Sequence, residues 1–164
     1  PNLTDPIWLY GSSEATIAYG INNAGDVVGR TYLVPGHPTG FVYLDGQMLI
    51  LGDDVFNNSE LREINDSGLA VGYGNVGQSQ HALLWSYSSA SSGLVDLNTL
   101  LPENSGWTLI SAADINELGQ ITGQGIFEGQ SMAYRLDPIP EPSTWALLGL
   151  GGLLYLLFHR KLKR

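Results

Sequence analysis

Turn-forming residues interrupt the apolar positions every few residues through the body of the chain, up to about residue 136. The apolar runs between them are short, as in Gly40-Phe41-Val42-Tyr43 and Ala82-Leu83-Leu84-Trp85. Short apolar segments bounded by turn residues are typical of β-strands rather than helices. The pattern changes once, after residue 143, where a continuous uncharged run begins. The sequence therefore predicts an all-β body followed by one C-terminal helix.

The body contains an internal repeat, which indicates its architecture better than any single strand does. The pattern Ile-Asn-x-x-Gly-x-x-x-Gly occurs three times, starting at Ile21, Ile64 and Ile115. The asparagines of successive copies, Asn22, Asn65 and Asn116, are 43 and 51 residues apart. These separations are typical of a four-stranded unit with loops of variable length.

Each copy of the motif predicts a tight turn between two antiparallel strands. An asparagine side chain caps the start of such a turn, and glycine adopts the left-handed conformation at its end. The turn residues are Asn22, Gly25 and Gly29, then Asn65, Gly68 and Gly72, then Asn116, Gly119 and Gly123. The isoleucine before each asparagine is expected in the core, and the last glycine marks a bulge or a close backbone approach. A Ca²⁺ loop at Asn22 to Asp26 is the alternative, but the other copies lack its alternating oxygen ligands.

Each copy continues into a further strand about ten residues after its last glycine. In the first copy Asp45-Gly46 predicts a two-residue hairpin, from which Gln47 to Leu51 returns as a fourth strand. In the second copy Leu94 to Leu97 returns after a longer loop. In the third copy Leu136 runs straight into a proline-rich segment, so the fourth strand is missing. Leu3 to Leu9 aligns with a fourth strand and is interpreted as the remnant of a preceding repeat.

The predicted fold is an all-β, propeller-like array of four-stranded antiparallel blades, about three and incomplete, plus one C-terminal transmembrane helix. A β-solenoid is the alternative, and an open, curved array is expected rather than a closed ring. Three segments are expected: a repeat domain 1–136, a proline-rich linker 137–143, and a helix with a basic tail 144–164. Within the repeat domain the copies are at about 16–52, 61–100 and 109–136, and residues 1–10 are the remnant of a preceding repeat.

These copies resemble the HAF repeat, a repeat of extracellular proteins. The resemblance covers Leu3 to Leu136, and His81-Ala82-Leu83-Leu84-Trp85 is nearest to the His-Ala-Phe that gives the repeat its name. The first and third copies have Thr39 and Met132 in place of the histidine, so a catalytic role for His81 is not expected. The resemblance implies no particular biochemical activity.

The uncharged run from Trp145 to Phe158 predicts a membrane-spanning helix. Its apolar members are Trp145, Leu147, Leu148, Leu150, Leu153, Leu154, Tyr155, Leu156, Leu157 and Phe158. At about 1.5 Å per residue the run is about 21 Å long, against roughly 30 Å for the hydrocarbon core, so spanning requires flanking residues and local thinning. A core helix is the alternative, but core helices rarely end a chain in four cations.

The charges around this run are strongly asymmetric. Four of the seven Lys and Arg residues follow it, namely Arg160, Lys161, Lys163 and Arg164, and all sixteen Asp and Glu residues precede it. The basic end is expected in the cytoplasm and the body, with a net charge of −13, outside. An acidic body also argues against nucleic acid as a partner.

The tail as a whole resembles the PEP-CTERM sorting signal of exopolysaccharide-producing Gram-negative bacteria. Pro140-Glu141-Pro142, the short span and the basic end carry the resemblance, over residues 138–164. It implies anchoring in the inner membrane, recognition of the Pro-Glu-Pro segment by the membrane protease-transpeptidase exosortase, cleavage nearby, and delivery of the body to the cell surface or exterior. A plain tail anchor is the alternative.

No catalytic or metal site is predicted in the body. The chain has no cysteine, and His37, His81 and the acid pairs Asp53-Asp54 and Glu60-Glu63 are interpreted as loop, packing or solvated residues. No cofactor is expected. Aromatic residues including Trp8, Trp85 and Trp107 could stack on sugar rings, but core packing is favoured.

The sequence favours an exported, non-enzymatic surface or matrix protein, with exopolysaccharide as a possible partner. The alternative is a fragment of a secreted hydrolase or carbohydrate-binding protein whose active part precedes residue 1. This alternative rests on the start of the chain, which opens at Pro1 without a methionine or signal peptide although an outward-facing body requires one.

Overall fold

The computed structural model describes residue 6 and residues 15–51, 56–87 and 93–139. Within these ranges the chain forms β-strands and one 3-10 turn at Leu97–Leu100, which confirms the all-β class. The strands are β1 Thr16–Ile21, β2 Val27–Val34, β3 His37–Leu44, β4 Gln47–Leu51, β5 Phe56–Ile64, β6 Leu69–Val76, β7 Ser79–Ser86, β8 Leu94–Asp96, β9 Trp107–Ile115, β10 Ile121–Phe127 and β11 Gln130–Leu136.

The strands form three antiparallel sheets, and each sheet contains one copy of the motif. The first sheet has the order β1-β2-β3-β4, the second β5-β6-β7-β8, and the third β9-β10-β11. Within each sheet every strand pairs with its neighbour in sequence, so each sheet is a simple meander. Within the described residues the third sheet has three strands, as its proline-rich continuation predicts.

The hairpin between β3 and β4 has the predicted two-residue turn. Asp45 and Gly46 have φ values of 48° and 80°, the left-handed pair that a tight hairpin requires, and β4 starts at Gln47. The return strand of the second sheet is shorter than predicted, because β8 ends at Asp96. The Asp96 carboxylate accepts a hydrogen bond from the Asn98 backbone N–H and starts the 3-10 turn, which places Leu97 in that turn.

The first strand of each later sheet packs across the face of the sheet before it. β5 contacts β1, β2 and β3, and β9 contacts β5, β6 and β7. The small size of Gly20 makes the approach possible, because a Cβ there would lie 2.9 Å from the Arg62 carbonyl oxygen. The interface between two sheets is therefore built largely around one crossing strand.

Two apolar clusters fill the spaces between the sheets. The first joins the first and second sheets through Val28, Val42, Leu51, Leu61, Ile64, Ala70, Leu83, Trp85 and Leu94. The second joins the second and third sheets through Val71, Ala82, Leu97, Leu109, Ala112, Ile115, Ile121 and Tyr134. Burial of this surface, at about 25 cal/mol per Å², is the main force that holds the sheets together.

The three motif isoleucines do not share one environment, contrary to the expectation that all are buried. Ile64 and Ile115 are 3% and 4% exposed, whereas Ile21 is 66% exposed. Ile64 and Ile115 lie on crossing strands that face a preceding sheet. Ile21 lies on β1, and no described strand packs in front of β1.

The outward face of the third sheet differs from the equivalent faces of the other two. The second and third strands of each sheet carry one cross-strand pair at equivalent positions. This pair is Val28 with Val42 in the first sheet and Val71 with Leu84 in the second. Val28, Val42 and Val71 are fully buried under the following sheet. In the third sheet the same pair is Thr122 with Arg135, and both are exposed. The last described sheet thus presents a polar surface where the others present core.

The predicted transmembrane helix at 144–164 lies outside the described residues. Among the residues that are described, no helix is long and apolar enough to cross a membrane.

Candidate functional site

The three motif turns have the same internal hydrogen bonds. In the second turn the Gly68 N–H donates to the Asn65 carbonyl oxygen at 3.0 Å, and the Leu69 N–H donates to Asn65 Oδ1 at 3.0 Å. In the first and third turns the corresponding N–H groups donate to the carbonyl oxygen and Oδ1 of Asn22 and of Asn116. Gly25, Gly68 and Gly119 have φ values of 88°, 72° and 74°. Asparagine and glycine therefore occupy these positions because of their turn chemistry.

The asparagines also join one sheet to the next, which the sequence analysis missed. Asn22 Nδ2 donates to the Asn65 carbonyl oxygen at 3.2 Å, and Asn65 Nδ2 donates to the Asn116 carbonyl oxygen at 3.0 Å. Asn116 Nδ2 donates to Gln120 Oε1 within its own turn. We call this row of three side chains the asparagine ladder. It links the turns of all three sheets.

A second row of hydrogen bonds runs beside the ladder, through the residue that follows each asparagine. The Asn23 backbone N–H and Nδ2 donate to the Asp66 carboxylate at 2.8 and 2.6 Å. The Asp66 N–H in turn donates to the Glu117 carboxylate at 3.1 Å. The bonds from Asn23 lower the pKa of Asp66. An acid after the asparagine in the second and third copies is the sequence signal that could have revealed this row.

The last glycine of each motif is a point of close backbone approach. A Cβ on Gly29 would lie 2.0 Å from the Ile17 carbonyl oxygen. A Cβ on Gly72 or Gly123 would lie equally close to the carbonyl oxygen of Glu60 or Ser111. In each sheet the pairing of the first two strands shifts register near this glycine, as expected at a bulge.

Aromatic and basic side chains alternate across strands β2, β1, β5 and β6 of the first two sheets. We call Tyr32, Arg30, Tyr19, Arg62 and Tyr73 the arginine–tyrosine row. Arg30 Cζ lies 5.5 Å from the Tyr32 ring centroid and 5.8 Å from that of Tyr19. Arg62 Cζ lies 5.3 Å from Tyr19 and 5.5 Å from Tyr73. These distances are within the range of cation–π interactions.

Both arginines of the row meet one buried carboxylate. Glu60 is 1% exposed, with Arg30 Nη1 2.7 Å from Oε2 and Arg62 Nε 2.5 Å from Oε1. The interpretation of Glu60 and Glu63 as a solvated acid pair in a loop is therefore wrong, because both lie on β5, where the crossing strand carries Glu60 into the interface. Two charges next to the buried carboxylate offset the cost of its desolvation.

A shallow hollow continues the row toward the third sheet. It has a volume of about 120 Å³ and is lined by Arg62, Tyr73, Ser111, Ala112 and Ala113. Ala113 precedes its motif asparagine by three residues, as Tyr19 and Arg62 precede theirs. Because the third copy has a methyl group where the others have large side chains, the row ends in open space. Burial raises the pKa of Tyr73 at this end.

The histidine His81 has a structural partner. His81 Nδ1 lies 2.6 Å from Asp96 Oδ2, whose other carboxylate oxygen caps the 3-10 turn. His81 lies within β7, and His37 lies at the start of β3 rather than in a turn because it pairs with Val34. Among the described residues, no three His, Cys, Asp or Glu side chains are grouped so that they could bind a metal ion.

The large aromatic side chains divide between core and surface. Trp85 and Tyr134 are 3% and 8% exposed, and Trp107 packs on Phe127 and Tyr134. The Tyr87 ring lies over Gly68, and its hydroxyl donates a hydrogen bond to the Asp26 carboxylate. Burial, together with this bond, raises the pKa of Tyr87 to about 12. Tyr19 is 39% exposed, so core packing does not account for every aromatic residue. Trp8 lies outside the described residues.

The predicted sorting residues Pro140, Glu141 and Pro142, the apolar run and the basic end also lie outside the described residues. Their sequence nevertheless matches a known signal: residues 138–161 match the PEP-CTERM protein-sorting motif. The match supports an exported protein that is anchored in a membrane before exosortase, a membrane enzyme, processes it. Searches of curated proteins and of solved structures found no match to the chain.

Proposed function

We propose that this chain is a non-enzymatic cell-surface or extracellular-matrix protein of an exopolysaccharide-producing Gram-negative bacterium. The single observation that carries the proposal is the match of residues 138–161 to the PEP-CTERM sorting motif. In the proposal exosortase cuts near Pro140 to Pro142, which frees the body from an inner-membrane helix and delivers it outside.

The body is proposed to act as a scaffold made of HAF-type repeats in a propeller-like array. Two features support this reading: the sheets are meanders that each contain one motif, and the motif asparagines hydrogen-bond from one sheet to the next. Repeats that contact only their neighbours form extended surfaces suited to binding other matrix components. Exopolysaccharide is the proposed partner class.

Processing provides the direct test. In a host with an active exosortase, envelope-extracted protein should have lost the basic end, and replacing Glu141 by alanine should leave the full C-terminus in place. Intact-mass measurement distinguishes the two forms by more than 2 kDa, since the apolar run and basic end comprise about twenty residues. Glu128→Ala, an acid in the hairpin between β10 and β11, is the matched control and should be processed normally. Recovery of an intact Arg164 terminus from wild-type cells would refute sorting.

The absence of catalysis is a separate expectation. The sequence contains no motif that predicts a nucleophile, base and stabiliser together, so we expect that the purified chain does not hydrolyse polysaccharide, ester or peptide panels. Product release would be followed by mass spectrometry after repurification. Turnover that persists and disappears in His81→Ala would show instead that the His81 and Asp96 pair belongs to a hydrolase.

A further inference from the structure

We propose that the arginine–tyrosine row and the hollow at its end form a binding site for a carboxylate-bearing sugar, such as a hexuronate unit in an acidic polysaccharide. The carboxylate binds the outer nitrogens of Arg62, and the sugar ring lies over Ala113 beside Tyr73. The ligand class follows from the side chains present and from the size of the hollow.

The distribution of charge is the first argument. Residues 1 to 142 contain three basic side chains against sixteen acidic ones, and two of those three, Arg30 and Arg62, lie in this row and contact the same carboxylate. A single buried Glu60 needs only one cation for neutrality. The Glu63 carboxylate accepts a hydrogen bond from the Ile64 N–H and lies beside Gly20. An anion is therefore the ligand that the row favours.

The row is also held rigidly and remains accessible. Each guanidinium lies between two tyrosine rings and against Glu60, so little side-chain entropy is lost when a ligand binds. The Arg62 side chain is nevertheless 46% exposed. Its Nε faces Glu60, and the Tyr73 hydroxyl also accepts a hydrogen bond from this guanidinium, whose planar geometry matches a carboxylate. A rigid, partly exposed arginine is a recognition group rather than only a packing element.

The shape of the hollow favours a sugar over a simple ion. Its volume of about 120 Å³ is well above the roughly 10–15 Å³ that a cavity needs to hold one water, so it has room for part of a hexose ring. The exposed methyl group of Ala113 offers an apolar floor for the C–H face of a ring, whereas the Ala112 side chain is buried in the core. Tyr73 and Ser111 also line the hollow, and their side chains carry hydroxyl groups of the kind that hydrogen-bond sugar hydroxyls.

Titration of the full chain, kept in detergent micelles, with trigalacturonate tests the site. Calorimetry gives the affinity, and NMR of the arginine Nε–H groups shows which arginine is affected. We expect binding with a shift at Arg62, and no binding of neutral trigalactose. Arg62→Gln should weaken binding at least about tenfold, since it removes a charge-assisted hydrogen bond.

Two matched pairs of variants separate binding from folding. Ala113→Leu fills the hollow without touching the ion pair and should abolish binding. Ala133→Leu places the same group in a different hollow, of about 240 Å³, along β11, and should have no effect. The second pair is Arg62→Gln and Arg135→Gln. Arg135 is the third basic side chain of residues 1 to 142, is 64% exposed and pairs with Asp137, so its replacement should leave binding unchanged.

Three results would overturn the site. These are no binding of trigalacturonate at several millimolar by the folded wild type, equal losses in Arg62→Gln and Arg135→Gln, and full binding by Ala113→Leu. Polyglutamate that competes as well as the sugar would show that the site recognises charge alone, which would refute the sugar assignment. The inference rests on the proposed function only for the supply of an extracellular polysaccharide. Sugar binding is measured on purified protein, so a failure of sorting in cells would not contradict the binding site. A failure of binding would likewise not contradict sorting by the tail.

Discussion

Gly72→Ala is expected to lower the free energy of unfolding by about 3 kcal/mol or more, which is a large part of the stability of a small domain. The added Cβ would lie 2.0 Å from the Glu60 carbonyl oxygen and 2.8 Å from the Leu61 Cα. Both are backbone atoms of the crossing strand β5, so no side-chain rotation relieves the clash. Urea denaturation followed by circular dichroism measures the change.

Gly40→Ala is the matched control for this prediction. Gly40 is also a buried strand glycine, but a Cβ there would meet Ser59 Oγ at 3.5 Å, an ordinary contact. The second and third copies have Ala82 and Ala133 in the equivalent place. We expect a change of less than about 1 kcal/mol, because alanine also reduces the entropy of the unfolded chain. Equal losses at Gly72 and Gly40 would show that the close approach has no special role.

Asn65→Asp is expected to destabilise the chain by about 2–3 kcal/mol. The carboxylate keeps the oxygen that accepts the Leu69 N–H, so the turn itself survives. The Nδ2 donor to the Asn116 carbonyl is lost, and an oxygen faces that carbonyl in its place. Asn65 is 2% exposed, so water cannot compensate. The effect therefore isolates the bond between sheets from the bonds within the turn.

The end of the asparagine ladder supplies the comparison. Asn116 is exposed, and its Nδ2 donates only to Gln120 Oε1 among the described residues. Asn116→Asp keeps the turn bonds to the Leu118 and Gln120 N–H groups and should cost less than about 0.5 kcal/mol. Thermal melts of both variants at pH 7 decide the matter. Similar melting temperatures would mean that the motif asparagines stabilise single turns and not the stack.

The elements that depend on local chemistry could be predicted from the sequence. The turn at Asn65 to Gly68 and the hairpin at Asp45-Gly46 follow from residues that are adjacent in the chain. The register shift near Gly72 was suggested by the glycine alone. Packing between sheets was harder, since Ile21 has the same local sequence pattern as Ile64 but a different neighbour in space.

The arginine–tyrosine row could not be predicted because its residues come from four strands of two sheets. The repeat also conceals it: the first copy has Tyr19 and Arg30 where the second has Arg62 and Tyr73. This exchange of residue types looks like variation between copies when the sequence is aligned. In space it places Arg62 against Tyr19 of the neighbouring sheet, while Arg30 lies against Tyr19 and Tyr32 of its own sheet. Complementarity between copies, rather than identity, is the signal that a sequence search for repeats overlooks.

The polar pair Thr122 and Arg135 on the third sheet makes growth of this array directional. A duplicated unit inserted ahead of the third sheet would meet valine and leucine on the sheet before it, as the second sheet meets Val28 and Val42. A unit added behind the third sheet would have to bury an arginine. Gene duplication can therefore lengthen the stack internally while the same terminal unit, next to the sorting tail, is kept at every length.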